Sequence, residues 1–170
     1  AKTVRNWLNR YDFQNRTVLI TGGSRGLGLE LARQFAQEGA ALILCARDID
    51  ELERAAAELR SQFRARVRTY VCDVTQPDQV AAFITKALQD HAAIDVVVNN
   101  AGTIQVGPKD AMTLEDYDEA MKTHFYGPLY VIEAVLPHLR RRGEGRIVNV
   151  SSIGGRISVP HLLPYSASKF

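Results

Sequence analysis

The chain has 170 residues, 46% of them apolar and 24% charged, and its 21 basic and 19 acidic residues leave a net charge of +2. That is the make-up of one globular domain long enough to bury a core, and the even mixture of signs excludes a nucleic-acid platform. No apolar run reaches the length of a membrane span, and the N-terminus lacks the apolar stretch of a signal peptide.

Cys45 and Cys72 end apolar runs and form no C-x-x-C, so they are read as reduced, buried thiols of a cytoplasmic protein. The first residue is Ala1, which predicts a start that has been processed or cut. Residues 1–16 are an extension in which Val4, Trp7, Leu8 and Tyr11 fall at helical spacing. A short amphipathic helix is expected there, packing on the domain or on a partner subunit, with a membrane-surface role as the alternative.

Residues 17–170 form the domain proper. Thr17-Val18-Leu19-Ile20 is a short buried strand. Thr21-Gly22-Gly23-Ser24-Arg25-Gly26-Leu27-Gly28 follows, and Leu27, Leu31 and Phe35 then mark a helix with one apolar stripe. Gly22 permits a tight turn, Gly26 lets the backbone approach a ligand, and Gly28 lets the helix pack closely on the sheet. Free N–H groups at the helix start then face an anion, most naturally a pyrophosphate.

The alternation repeats. Ala41 to Cys45 is a second strand. Asp48 and Glu51 resemble a capping box for a helix carrying Ile49, Leu52, Ala56, Leu59 and Phe63. Val67 to Cys72 is a third strand. Thr75 is expected to cap a helix with Pro77 in its first turn and Val80, Ile84, Ala87 and Leu88 as its stripe. Asp95 to Asn99 is a fourth strand. After a polar loop over 103–112, a long helix begins near Thr113 with Met121, Phe125, Leu129, Ile132 and Leu136 inward, kinked at Pro128. Arg140-Arg141-Arg142 reads as its solvated, cationic end. Arg146 to Val150 is the fifth strand.

Strands alternating with helices predict an α/β fold: a parallel sheet covered on both faces, doubly wound in the Rossmann manner, with strand order 3-2-1-4-5. A ligand belongs across the carboxyl ends of the strands. Those ends carry the glycine turn, Asp73-Val74, Asn99-Asn100-Ala101-Gly102, Ser151-Ser152 and Tyr165-Ser166-Ala167-Ser168-Lys169. With these motifs in this order, the sequence resembles the classical short-chain dehydrogenase/reductase family from Thr17 to Phe170.

On a helix, Tyr165 and Lys169 share one face, and a cation beside a phenol favours the phenolate. The resemblance implies hydride transfer between a nicotinamide and a carbonyl or alcohol. Tyr165 would be the proton donor and Ser152, thirteen residues earlier, the group that orients the oxygen, with Ser151 as the neighbouring alternative. Lys169 would hold the ribose and tune Tyr165. It implies Gly22, Ser24, Arg25, Gly26, Leu27, Gly28, Arg47, Asp73, Val74, Asn100, Ala101 and Gly102 as further cofactor contacts, with Tyr165 and Lys169, Asp73 at the adenine and Asn99 steadying the sheet.

The relatives' relay asparagine is replaced by His124, which reads equally as a relay through water or as a packed core histidine. His91, His138 and His161 show no metal-ligand spacing, so no metal is proposed. Strand two ends Leu44-Cys45-Ala46-Arg47. The acid that would favour NAD is absent at Ala46, and Arg47 with Arg25 can meet a 2′-phosphate, so NADP(H) is expected over NAD.

The chain stops in the first turn of the Tyr165 helix. The C-terminal part of the family's fold, substrate lid included, is therefore expected to be missing, and the 170-residue form to be inactive by itself. Val159, Leu162 and Leu163 suggest a partly apolar substrate, and Arg156 faces either an acidic group on it or water. A homodimer or homotetramer is expected from the family's pairing through the long helix and the Tyr165 helix. The alternatives to the enzyme are a non-catalytic NADP-binding regulatory protein and an inactive fragment.

Overall fold

The computed structural model describes residues 11–170. Val4, Trp7 and Leu8, where the N-terminal helix is expected, lie outside the described residues. Five strands, β1 (Thr17–Thr21), β2 (Ala41–Ala46), β3 (Val67–Val71), β4 (Val96–Asn99) and β5 (Arg146–Asn149), form one sheet. All pairs are parallel and the order is β3-β2-β1-β4-β5, as the alternation predicts. The helices are α1 (Gly26–Gln37), α2 (Ile49–Phe63), α3 (Pro77–Asp90), α4 (Leu114–Met121), α5 (Gly127–Arg142) and α6 (Leu163–Lys169).

The period of two along each strand divides the core. Val18, Ile20, Leu42, Leu44, Val96 and Val98 point to one face, where α1 and α2 cover them; Leu19, Ile43 and Val97 point to the other, against α3 and α5. Each of these aliphatic side chains is at most 2% exposed, and full burial of one contributes about 1.5–3 kcal/mol. Strand order reverses at β1, which lies between β2 and β4, so the crevice beyond the strands' carboxyl ends opens there.

Several helix faces differ from the sequence reading. In α1 the buried residues are Gly28, Ala32 and Ala36. Leu31 and Phe35 pack at the margin, and Leu27 is 56% exposed. A helix lying close on a sheet needs small residues at the contact line. In α3 the cap position is Gln76, with no side-chain cap bond, while the Thr75 hydroxyl donates to Asp73 Oδ1 at 2.8 Å.

The long helix begins as expected at Thr113, with a complete capping box to Asp116. It is then interrupted by a π-helical turn, Lys122–Tyr126. Pro128 has no N–H to give the preceding turn, and the wider turn places it at the start of α5, where none is needed. Pro137 is a second proline, inside α5. The expected stripe points outward: Phe125 is 53% exposed and Leu129 38%, whereas Ala120, Thr123, Gly127, Val131, Val135 and Leu139 face the core. Gly127 lies so close to Val74 that a Cβ would stand 3.1 Å from its Cγ2.

Arg142 is also not solvated. Its guanidinium donates to Asp95 Oδ1 at 2.9 Å, to the Ile94 carbonyl at 2.9 Å and to Glu144 at 3.0 Å, tying α5 to the sheet at the end opposite the crevice.

Candidate active site

The crevice beyond β1 and β4 is a cleft of about 800 Å³, within the usual range of small-molecule sites. Its floor is the glycine turn. Gly22 has φ +66°, and a Cβ on it would stand 2.9 Å from the Ala101 Cα. A Cβ on Gly28 would come within 2.1 Å of the Gly22 carbonyl oxygen, so only glycine lets α1 start so near the turn. Gly26 has open space before it. The first turn of α1 carries no acidic residue and no side-chain cap, which leaves its N–H groups free for an anion.

Asn100 secures this floor. Its amide donates to the Thr21 carbonyl at 3.0 Å and the Gly22 carbonyl at 3.2 Å, while the Thr21 hydroxyl accepts from the N–H groups of Asn100 and Ala101 at 3.0 Å each. Asn99 acts one residue earlier, donating to Asn149 Oδ1 at 2.8 Å and joining β4 to β5.

The glycine turn, Asp73, Val74, Gly102, Arg47, Tyr165 and Lys169 line one continuous cleft. Asp73 closes a turn by accepting from the Thr75 N–H at 2.9 Å. Arg47, exposed at the end of β2, has no ion pair among the described residues. Asp48 caps α2 by accepting from the Glu51 N–H at 2.9 Å. The capping box expected there is only half made, because the Glu51 carboxylate turns into the cleft. It accepts from Ser24 Oγ at 3.0 Å and from the Arg25 guanidinium at 3.1 Å. A helix-capping reading of Glu51 gave no sign of this contact.

The far wall is α6, whose short turn carries Tyr165 and Lys169 on one face. Lys169 Nζ stands 5.9 Å from the centre of the Tyr165 ring and donates to the Val150 carbonyl at 2.9 Å. Burial holds the ammonium's pKa below the usual lysine value. Ser152 Oγ accepts from the Gly154 N–H at 3.1 Å, and Gly154 packs so closely on Tyr165 that a Cβ would meet the ring at 3.1 Å. Serine and tyrosine thus flank one glycine without bonding each other, and it is Ser151 that lines the cleft.

His124 sits in the π turn. Its Nε2 accepts from the Thr103 N–H at 3.1 Å, which leaves the proton on Nδ1, directed at Ser168 Oγ at 2.7 Å. Ser168 in turn donates to the Tyr165 carbonyl at 2.9 Å. Burial first, and then the charge of Lys169, push the imidazole pKa down to about 4, so it is neutral at physiological pH. Both ring nitrogens therefore have partners, and the ring, edge-on to Tyr165 at 5.3 Å, bridges the two walls of the cleft. Ser168 and Thr103 escaped the sequence reading; the only available sign was that Ser168 lies one turn from Tyr165.

A family model described as short chain dehydrogenase matches residues 16–170. The chain is 36% identical over 173 residues to the zebrafish (Danio rerio) "Dehydrogenase/reductase SDR family member 7B", covering 99% of this chain and 56% of the relative. Among solved structures it is similar to an NAD+-bound xylitol dehydrogenase, with TM-score 0.88, 31% identity and coverage of 94% of this chain and 61% of the other. It is also similar to a metagenomic short-chain oxidoreductase in complex with NADP, with TM-score 0.86, 31% identity and coverage of 94% and 72%. The chain thus spans a little over half the length of the curated relative and 61–72% of the two solved chains.

Proposed function

The chain belongs to the short chain dehydrogenase family, and we propose that it supplies the cofactor cleft and acid–base group of an oxidoreductase. The enzyme transfers a hydride between NADP(H) and a small carbonyl or alcohol. The observation that carries this reading is that Tyr165 and Lys169 face the same cleft as the glycine turn. A bound nicotinamide would supply the hydride; the protein supplies position and the proton.

The N–H groups opening α1 would hold the pyrophosphate, and Leu27, Asn100, Ala101 and Gly102, which line the same cleft, would contact the cofactor. Asp73 and Val74 would meet its adenine. In reduction, Tyr165 Oη gives its proton to the substrate oxygen as negative charge develops there, Ser152 Oγ turns to donate a hydrogen bond to the same atom, and Lys169 holds the ribose. His124 takes part as a positioning residue, fixing the Thr103 loop to the Tyr165 helix. Relay through its ring would require it to release Thr103 or Ser168.

Ala46 brings no carboxylate to the end of β2 and Arg47 brings a cation, which supports NADP(H) over NAD. Both kinds of cofactor occur among the similar structures. The outward stripe of Phe125 and Leu129 supports pairing of subunits into a symmetric dimer or tetramer. No helix among the described residues is long and apolar enough to cross a membrane. The two free, buried cysteines suit a reducing, cytoplasmic setting.

The test is NADPH oxidation by the full-length protein, followed by absorbance, over a panel of ketones and aldehydes. Carbonyl-dependent oxidation supports the enzyme. Tight NADPH binding with no turnover on any substrate replaces it with a regulatory binding protein.

A further inference from the structure

Glu51 has no part in the catalytic reading. Its place in α2 calls for nothing beyond the backbone cap from Asp48, yet its carboxylate spans the cleft to the glycine turn. There it gathers two donors from an element 26 and 27 residues earlier in the chain, the Arg25 guanidinium at 3.1 Å and the Ser24 hydroxyl at 3.0 Å. Ser24 is only 4% exposed, so its hydroxyl has few alternatives. The Glu51 side chain is three-quarters covered, at 25% exposure, whereas that of Arg25 is 75% exposed. A guanidinium and a buried hydroxyl converging on one carboxylate form an anion site whose anion comes from the chain.

The position of this site matters. Ser24, Arg25 and Glu51 line the same cleft as Ala46 and Arg47, and the N–H of Gly23, next to Ser24, donates to the Cys45 carbonyl at 3.2 Å. That is the end of β2, where doubly wound sheets read the 2′ position of the adenosine ribose. We infer that Glu51 is an internal counter-ion at the coenzyme's 2′ subsite: it occupies Arg25 and Ser24 and sets the NADP(H)-to-NAD(H) ratio by opposing a 2′-phosphate. The inference rests on the NADP(H) reading above.

A dianionic phosphate entering this corner must take Arg25 from Glu51 and then sit beside a like charge. A ribose 2′-hydroxyl meets no such opposition, because it can donate to the carboxylate. The acid missing at Ala46 is therefore replaced in part by one from the next helix, and the arginines' preference for phosphate is restrained.

The experiment measures binding, independent of turnover. Kd values for NADPH and NADH, and for adenosine 2′,5′-bisphosphate and 5′-AMP, are determined by calorimetry at fixed moderate salt for the unmodified protein and for Glu51→Gln. Glutamine keeps the size, the Asp48 cap and an acceptor for Ser24, and removes only the charge. The expected result is NADPH and the bisphosphate binding about tenfold tighter to Glu51→Gln, with NADH and 5′-AMP changed by less than about threefold. Glu51→Ala is expected to shift the ratio in the same direction. A ratio that stays within twofold of the unmodified protein's while all four probes bind overturns the counter-ion alone. If none of the four binds the unmodified protein, the cofactor cleft itself is refuted, and the inference with it.

Discussion

Replacing His124 by leucine tests the bridge between the two walls of the cleft. The substitution keeps much of the volume but removes the acceptor for the Thr103 N–H and the partner of Ser168 Oγ, which are held at 3.1 and 2.7 Å. A buried polar group left without a partner costs about 1–3 kcal/mol. Both groups lie only partly buried beside an open cleft, so water meets part of that need and the loss is about 2 kcal/mol in all. In a chain of this length that lowers Tm by roughly 4–8 °C.

The effect on turnover is expected to be larger. Ser168 bonds the Tyr165 carbonyl, and a displacement of about 1 Å at a reacting group costs on the order of 100-fold. Asparagine, which can still donate and accept, is expected to keep the rate within about tenfold.

The pH dependence gives a second readout. His124 has a folded pKa near 4 against an ordinary value of 6.5, so the unfolded chain takes up the proton first. Its contribution to stability is complete above about pH 6.5, is lost as pH falls toward 4, and changes no further below that. With a share of the imidazole still reached by solvent, the contribution is about 1–2 kcal/mol. Urea unfolding at pH 7.5 and pH 4.5, with NADPH turnover at neutral pH, measures both effects. A leucine variant that loses stability but keeps its rate reduces His124 to packing. A leucine variant with the unmodified protein's acid sensitivity removes it as the titrating group.

In the full-length protein, Tyr165→Phe is expected to lower turnover by about 10²–10⁴-fold with NADPH affinity nearly intact; a near-normal rate would remove Tyr165 from the chemistry. Gly28→Ala would set a Cβ 2.1 Å from the Gly22 carbonyl oxygen and 2.6 Å from Asn100 Nδ2. It should abolish NADPH binding and lower stability by about 1–3 kcal/mol, and unchanged affinity would contradict the role given to the turn. Ala46→Asp with Arg47→Leu should shift affinity from NADPH toward NADH in calorimetry; an unmoved ratio would show that Arg47 does not meet the phosphate. Sedimentation should show the protein as a dimer or tetramer that Phe125→Asp with Leu129→Asp dissociates, and a stable monomer before substitution would refute the pairing face.

What was legible in the chain was local. Val18 to Ile20 and Ala41 to Cys45 read as strands because buried parallel strands are continuous apolar runs. The turn at Gly22 to Gly28 read correctly because its backbone angles and close contacts admit only glycine. Parallel order followed, since strands alternating with helices can close a sheet in few ways. Tyr165 and Lys169 were visible because four residues make one helical turn.

The tertiary structure decided the rest. Periodicity put Met121, Phe125 and Leu129 on the inner stripe of the long helix, and the fold turned that stripe outward. The inner face instead carries Gly127, packed tightly on Val74, which lies some fifty residues earlier in the chain. Arg142 looked like a solvated helix end until Asp95, 47 residues away, took it. Glu51 looked like half of a cap until folding brought Ser24 and Arg25 to it, and the tautomer of His124 was set only when the Thr103 N–H, 21 residues earlier, met its Nε2. Backbone preference acts over one turn of chain and is written in neighbouring residues. The partner of a charged or hydrogen-bonding side chain is chosen by which distant surfaces pack together, and that exists only once the sheet and its helices have assembled.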